Sequence, residues 1–596
     1  MMPPPSTFTM PFGAKLLARE GVRFRLYAPS ATQVELALDG AAPVPLRRDD
    51  EGFFELVDSR ARAGSRYMFV VDSLRVPDPA SRFNPDGPHG PSVVVDPAAF
   101  PWPHDDWQGR ARHEHVFYEI HIGTFTPEGT YTAAAAKLPL IADLGITAIE
   151  LMPLAQAPGA RNWGYDGVLL YAPAHAYGTP DDLKALVARA HALGIAVYLD
   201  VVYNHFGPEG NYLQAYAREF YSDRHNTPWG AAIDVLERAH VRAFFIENAL
   251  YWLEEFRFDG LRLDAVHAIY DGADRAFLRE LAATVHDRAT RPVHLIVEND
   301  HNESALLEAG FRAQWNDDAH HAAHVAITAE HDGYYADYAE STTALLGRTL
   351  TKGFGYQGEP SGVRGGKRRG DLSEHLAHAS FVTFLQNHDQ IGNRPFGERI
   401  TALAPDNAVR AVVALLLLAP PVPLLFMGEE WGASTPFLFF CDFEPDLARA
   451  ISEGRRKEFG TFAGFADPAM RARIPDPSAP ATFARSILRW EERTTSLHAA
   501  WLAYYRHLLH VRATEIAPRS ARACGRDADY ATIGAFGLQA QWRLDDGHTL
   551  VLETNLGASA QAGFSSDPKG YVVFTTHAST FADGIAPPWS VRWTID

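Results

Sequence analysis

Cysteine is nearly missing from this 596-residue chain. The two present, Cys441 and Cys524, are too few and too far apart for a disulfide framework or the paired spacing of a zinc site. A reducing cytoplasm is the expected compartment. Positive charge is also short, with 54 Lys and Arg against 73 Asp and Glu. The net charge of −19 disfavours nucleic acid and anionic membranes as partners and suits a neutral substrate. The chain opens without a basic region followed by an apolar run, so no secretory signal is expected. The longest apolar stretch, 411–427, is broken by Pro420, Pro421 and Pro423 and is short of a membrane span. It reads as a buried helix, a turn and a strand. No repeat of solenoid length is visible.

Against these absences stand four stretches, Asp200-Val-Val-Tyr-Asn-His205, Gly260-Leu-Arg-Leu-Asp264, Ile296-Val-Glu298-Asn299 and Gln386-Asn-His-Asp389. Each places a carboxylate where an apolar run stops and polar residues begin. The runs are too apolar for a sheet with one wet face, so they read as buried parallel strands with acids at their C-termini. Helical periodicity between them, as at 181–193 and 244–253, makes βα units. Strand candidates from 115 onward number eight, at 115–125, 147–152, 196–204, 261–266, 293–299, 313–316, 381–387 and 424–429. Eight such units close a TIM (β/α)8 barrel, whose C-terminal mouth would gather the acids over one cleft.

Before about residue 110 the pattern alternates in short β segments, such as 22–27 and 34–38, and reads as a β-sandwich. The expected organisation is an N-terminal sandwich over 1–110, an α/β barrel over 111–515 and a C-terminal β-sheet domain over 516–596. Residues 207–238, after strand three, would form a subdomain over the cleft. Residues 351–374, rich in glycine and basic side chains, read as a mobile loop beside strand seven.

Together the four stretches resemble the four sequence regions of the α-amylase family of glycoside hydrolases, and the resemblance spans roughly the whole chain. Within it, segments 203–212, 314–318, 333–338, 386–393 and 453–458 resemble the maltooligosyltrehalose trehalohydrolase group. The resemblance implies cleavage of the α-1,4 bond beside the terminal trehalose of maltooligosyl trehalose, releasing trehalose with net retention. Asp264 is then the nucleophile, Glu298 the general acid and Asp389 the third acid. Retention needs two carboxyl groups about 5–5.5 Å apart, which adjacent strands about 4.8 Å apart supply. Arg262, two residues before Asp264 on the same strand face, can hold it ionised. The charge of Asp264 together with burial would raise Glu298.

His388 and His205 are expected on sugar hydroxyls, Tyr165 under the sugar ring, His267 on the leaving-group side and Asp200 as a structural acid paired with Arg262. Asn316, Asp317, Asp318, Gln390 and Asn393 are assigned to the same mouth. Trp229, Glu430 and Phe440, with their neighbours Trp431, Phe439 and Asp442, are assigned to the wall that selects trehalose. No cofactor or metal is expected: Ala268 stands where amylases often carry the His of a calcium site. A monomer is expected. Rival readings are a 1,4-α-glucan branching enzyme and a non-catalytic glycan-binding protein.

Three other motifs are set aside. The G-x-G-x-x-G string at 353–358 lacks a flanking strand and helix. His320 and His324 lack a third metal ligand. The basic run 367–369 reads as a solvated loop.

Overall fold

A computed structural model of the chain describes residues 8, 10–103, 106–227, 230–459, 467–577 and 581–596. Eight parallel strands close a barrel: β1 (Phe117–Ile120), β2 (Ala148–Leu151), β3 (Ala196–Val201), β4 (Gly260–Leu263), β5 (His294–Val297), β6 (Ala313–Trp315), β7 (Phe381–Phe384) and β8 (Val422–Phe426). Nearly every residue in them is buried, because helices cover the outside and side chains fill the inside. The expected strands all occur, but β8 starts two residues early. Pro423 stands within it, opposite Thr383, and Glu429 falls in the turn that follows.

Phe117, Tyr198, Ile296, Trp315, Phe384 and Leu424 fill the lower barrel interior. Gly260 lies beside Tyr198, where a Cβ would come within 2.2 Å of the tyrosine ring, so glycine is required. Strand side chains alternate, so Asp200 and Arg262, paired with each other, are the next inward positions above Tyr198 and Gly260, while Glu119 and Glu150 pair in register with Tyr198 one step below. The helix after the β2 unit, Pro180–Ala192, starts in a capping box in which Thr179 and Asp182 each accept from the other's backbone N–H.

The N-terminal β segments form two sheets. One contains Gly13–Leu17, Gly21–Tyr27 and Phe53–Asp58, the other Val34–Leu38 and Arg66–Val71, and Phe24 meets Tyr67 edge-on between them. Arg82 ties this sandwich to the barrel helix Ala239–Glu255 through a buried ion pair with Glu255 at 3.0 Å. A five-stranded antiparallel sheet, from Ala528–Ile533 to Ser590–Ile595, closes the C-terminal end. Its stacked Trp542 and Trp593 donate to Leu350 O and Ala414 O of barrel helices. The 207–238 segment contains a hairpin of Tyr221–Thr227 and Gly230–Ile233.

Two expectations about 351–374 are corrected. The segment is not a free loop: Glu359–Pro360 pairs with Arg368–Arg369. Nor is the basic run wholly solvated, because buried Arg369 bonds Asp318 at 2.6 Å and the Asp300 carbonyl at 2.9 Å. A buried carboxylate supplied the partner that composition alone did not reveal. His320 and His324 are core residues, bonded to Leu385 O and Glu330.

Arg512 secures the barrel's last helical turn. Fully buried, it donates to the carbonyls of Leu417 in the last turn of helix Asp406–Leu418, of its cap Ala419, and of Pro420 and Pro421 in the turn that follows. Burial, with no counter-ion among the described residues, lowers its guanidinium to about 9. Arg512→Met is expected to cost about 3 kcal/mol by orphaning these acceptors. Arg512→Lys should recover little, because one ammonium cannot reproduce the planar fork. Melting curves of both variants check this.

Candidate active site

The site is built on the register of β4 and β5. Leu263 pairs with Val297, so the next residues, Asp264 and Glu298, leave adjacent strands at one level. The ladder continues through them, with Glu298 N donating to Leu263 O at 3.0 Å and Val266 N to Glu298 O at 3.0 Å. Between them Ala265 adopts a left-handed φ of 41°, unusual for a residue with a Cβ. That turn aims its N–H at Glu298 Oε2, 2.9 Å away.

Arg262 organises the acids. Its Nη1 donates to Asp200 Oδ2 at 2.6 Å and to Asp264 Oδ1 at 2.9 Å, and its Nη2 donates to Glu298 Oε2 at 2.8 Å. The guanidinium lies 4.1 Å over the Trp315 ring. Asn204 holds the other oxygen of Asp264 at 2.8 Å. Burial pushes Glu298 up to about 7, with the Asp264 and Asp389 charges adding to it and Arg262 opposing. Asp264 is raised as well, because burial outweighs Arg262 and Asn204. The guanidinium therefore moderates the nucleophile candidate without bringing it to the ordinary aspartate range. Asp389 is held lower than usual, since the attractions of His388, Arg262 and Asn393 exceed the largest single influence, its own burial.

His388 is clamped by buried Glu119, which accepts from both its backbone N–H and its ring Nδ1, while Nε2 lies 3.4 Å from Asp389. These anions hold the imidazole well above its ordinary value despite burial, so it is cationic at neutrality. Tyr165 stacks on it with ring centroids 5.1 Å apart and donates its hydroxyl to Asp200 at 2.6 Å. His205 bonds the Tyr165 carbonyl at 3.0 Å, and burial lowers it to about 4.

A cavity of about 460 Å³ opens over these groups. Asp264, Glu298, Asp389, Tyr165, His205, His267 and His388 line it, as do Trp163, Asp166, Phe206, Pro208 and Phe439. Asp317 accepts from Gln390 at 3.5 Å, and Asn393 donates to Asp389 at 3.2 Å, so these three candidates adjoin the cleft.

Other candidates do not reach it. Asn316 is buried and donates to Gly353 O. Asp318 is buried beneath Arg369, Tyr338, Asn302 and two backbone N–H groups. Glu430 is buried against the Tyr118 hydroxyl, behind β1 rather than over the mouth, and burial raises it to about 7. Phe440 packs on His121, Phe437 and Phe483, and Trp431 is likewise buried. It is Phe439 that faces the cavity, because consecutive side chains point apart. Asp200 and Arg262 are fully buried and act through other side chains instead of touching a ligand. Trp229 lies outside the described residues.

Sequence reasoning missed Glu119, Trp315 and the contact made by Asn204; it assigned Phe439 and Phe440 to one wall, of which Phe439 lines the cavity. Glu119 and Trp315 carried a usable signal, a charge and a large aromatic at inward positions of barrel strands.

Comparison with known proteins gives the family and the fold. Residues 101–230 match the family described as "Alpha amylase, catalytic domain", residues 11–99 "Carbohydrate-binding module 48 (Isoamylase N-terminal domain)", and residues 525–593 a domain of unknown function. The chain is 43% identical to the malto-oligosyltrehalose trehalohydrolase of Deinococcus radiodurans over 90% of each chain. It is 40% identical to that of Saccharolobus solfataricus, covering 84% of this chain and 87% of the relative. A crystal structure of a Salmonella typhimurium protein described as a candidate alpha amylase superposes with a TM-score of 0.93 at 43% identity, over 99% of this chain and 100% of that one. The chain therefore belongs to the malto-oligosyltrehalose trehalohydrolase family of α-amylase-type glycoside hydrolases.

Proposed function

We propose that the protein is a retaining glycoside hydrolase that cuts the α-1,4-glucosidic bond next to the terminal trehalose of maltooligosyl trehalose. It would release trehalose and so serve trehalose biosynthesis from α-glucan in the cytoplasm. The substrate follows the names of the relatives. The observation that carries the chemistry is that Asp264 and Glu298 leave paired strands at one level, share Arg262 and line one cavity, the adjacency that the ~5–5.5 Å carboxyl separation of a retaining pair needs.

Glu298 Oε2 already accepts from Arg262 and Ala265, so the proton of the acid belongs on Oε1. In the first step that proton passes to the glycosidic oxygen while an Asp264 oxygen bonds the anomeric carbon. The C–O bond breaks and trehalose leaves as an alcohol. In the second step Glu298, now a carboxylate, takes a proton from a water that attacks the same carbon, and the ester to Asp264 breaks. Asp389 and cationic His388 bond the hydroxyls of the reacting sugar, and Asp389 faces its developing positive charge. Tyr165 supplies the apolar floor, held by its stack on His388. The proposed domain limits are 1–110, 111–515 and 516–596, in a monomer.

Incubation with maltopentaosyl trehalose should release free trehalose. Products elongated by transfer to a sugar hydroxyl, without trehalose, would instead indicate a branching enzyme. Asp264→Ala should lower turnover by about 10⁴-fold or more while binding persists, measured by calorimetry.

The profile of kcat/KM against pH should be a bell. Above about 7 it falls as Glu298 loses the proton it must donate; at low pH it falls as Asp264 is protonated. Glu298→Gln should reduce kcat by about 10²–10⁴-fold and abolish the alkaline limb.

Phe439→Ala should raise KM about tenfold, roughly one aromatic contact, with melting little changed. Phe440→Ala should leave KM in place and cost about 3–4 kcal/mol of stability. Steady-state kinetics and thermal melts separate the two.

A further inference from the structure

Beneath the cleft the barrel interior holds more acids than bases. Among the described residues, six carboxyl groups surround Arg262 and His388 in and below the cavity, and five of them have partners. Glu119 holds His388; Asp200 holds Arg262 and Tyr165; Asp264 holds Arg262 and Asn204; Glu298 holds Arg262 and Ala265 N; Asp389 holds Asn393. The sixth is Glu150, on β2. It is 1% exposed, and both its carboxyl oxygens are buried without a hydrogen-bond partner among the described residues.

Strand register says what surrounds it. Glu150 is paired with Glu119 on β1 and with Tyr198 on β3, and Asp200 stands two residues beyond Tyr198 on the same inward face. Asp200 is unevenly satisfied: Oδ2 takes both Arg262 and Tyr165, while Oδ1 is buried without a donor. An unpartnered carboxyl thus lies one layer below an unpartnered acceptor. An ionised Glu150 would be desolvated and repelled by Glu119 and Asp200 together. A neutral Glu150 has an O–H, the donor that Asp200 Oδ1 lacks.

We propose that Glu150 is a positioning residue: a neutral carboxylic acid that donates toward Asp200 Oδ1 through one enclosed water, holding Asp200 so that Arg262 and Tyr165 stay aligned. A water between them would meet polar atoms above and below, which is one of the requirements for an ordered internal water. The charged groups facing Glu150 agree with the neutral form. Burial is the largest influence; Asp200 and Glu119 add to it, and Arg262 and His388 only partly offset it. Through Arg262 the effect reaches both reacting carboxylates, although Glu150 touches neither. The rate readouts below rest on the hydrolase reading. The spectroscopic one does not.

Three measurements on the full chain test the proposal. An infrared difference spectrum of wild type against Glu150→Gln, above the pH at which Glu298 ionises, should contain the C=O band of a protonated carboxyl. Glu150→Met should lower kcat about 10–100-fold with KM little changed, since misalignment of the reacting groups is what is lost. Its alkaline limb should move upward, because a loosened Arg262 no longer depresses Glu298. Glu150→Gln retains an N–H donor and should recover at least tenfold of that loss and restore the limb. The proposal fails if the protonated-carboxyl band is missing, if Glu150→Met keeps the wild-type kcat, or if Glu150→Gln moves the alkaline limb to lower pH, as removal of a negative charge would. If Glu150→Met does not fold, the band and the Gln profile still decide. Wild-type protein that releases no trehalose would sink the functional reading and leave the band as the test of Glu150.

Discussion

One buried guanidinium holds the site together. Arg262 is enclosed inside the barrel, lies on the face of Trp315, and bonds Asp200, Asp264 and Glu298 at once. Three carboxylates brought this close would otherwise repel one another in a poorly solvated space, and a single fixed cation with a planar fork makes their grouping tolerable. Such an arrangement is demanding, because a buried charge stripped of any partner is strongly destabilising. The catalytic geometry and the stability of the upper barrel are therefore linked through one side chain.

The same space separates the acids by environment. Glu298 has one oxygen filled by donors and is raised to about 7 by burial; Asp389, against cationic His388 and Asn393, is held lower than usual. His388 is cationic because Glu119 grips it from below, so an acid on β1, remote from the cleft surface, sets the charge of a group that faces it. Burial and pairing thus push the proton affinities of Glu298 and Asp389 apart, while Asp264 is raised by its burial in the same sense as Glu298.

The loops over the mouth are tethered by the same kind of pairing. Asp318, at the start of the helix after β6, collects Arg369 and the backbone of 355–356, which draws the 351–374 segment down against the barrel. Buried ion pairs at Arg82–Glu255 and Arg369–Asp318 thus locate two peripheral pieces, the sandwich and the hairpin, relative to the strands that carry the acids.

Period and polarity along the chain were enough to determine the strand count, the barrel and the placement of Asp264, Glu298 and Asp389 at strand ends, since a parallel strand buried on both faces leaves an unmistakable apolar run that stops at its polar mouth. Alternation along β4 also put Arg262 on the face of Asp264, and the family resemblance implied its pairing with Asp200. Only the tertiary structure decided which flanking residues meet the cleft. It turned Phe439 inward and Phe440 away, buried Glu430 and Asp318 in bonds to distant segments, and brought Glu119 under His388 from 269 residues away. Such contacts depend on how loops from different βα units fold over one another, and local sequence carries no period or spacing from which that packing can be read.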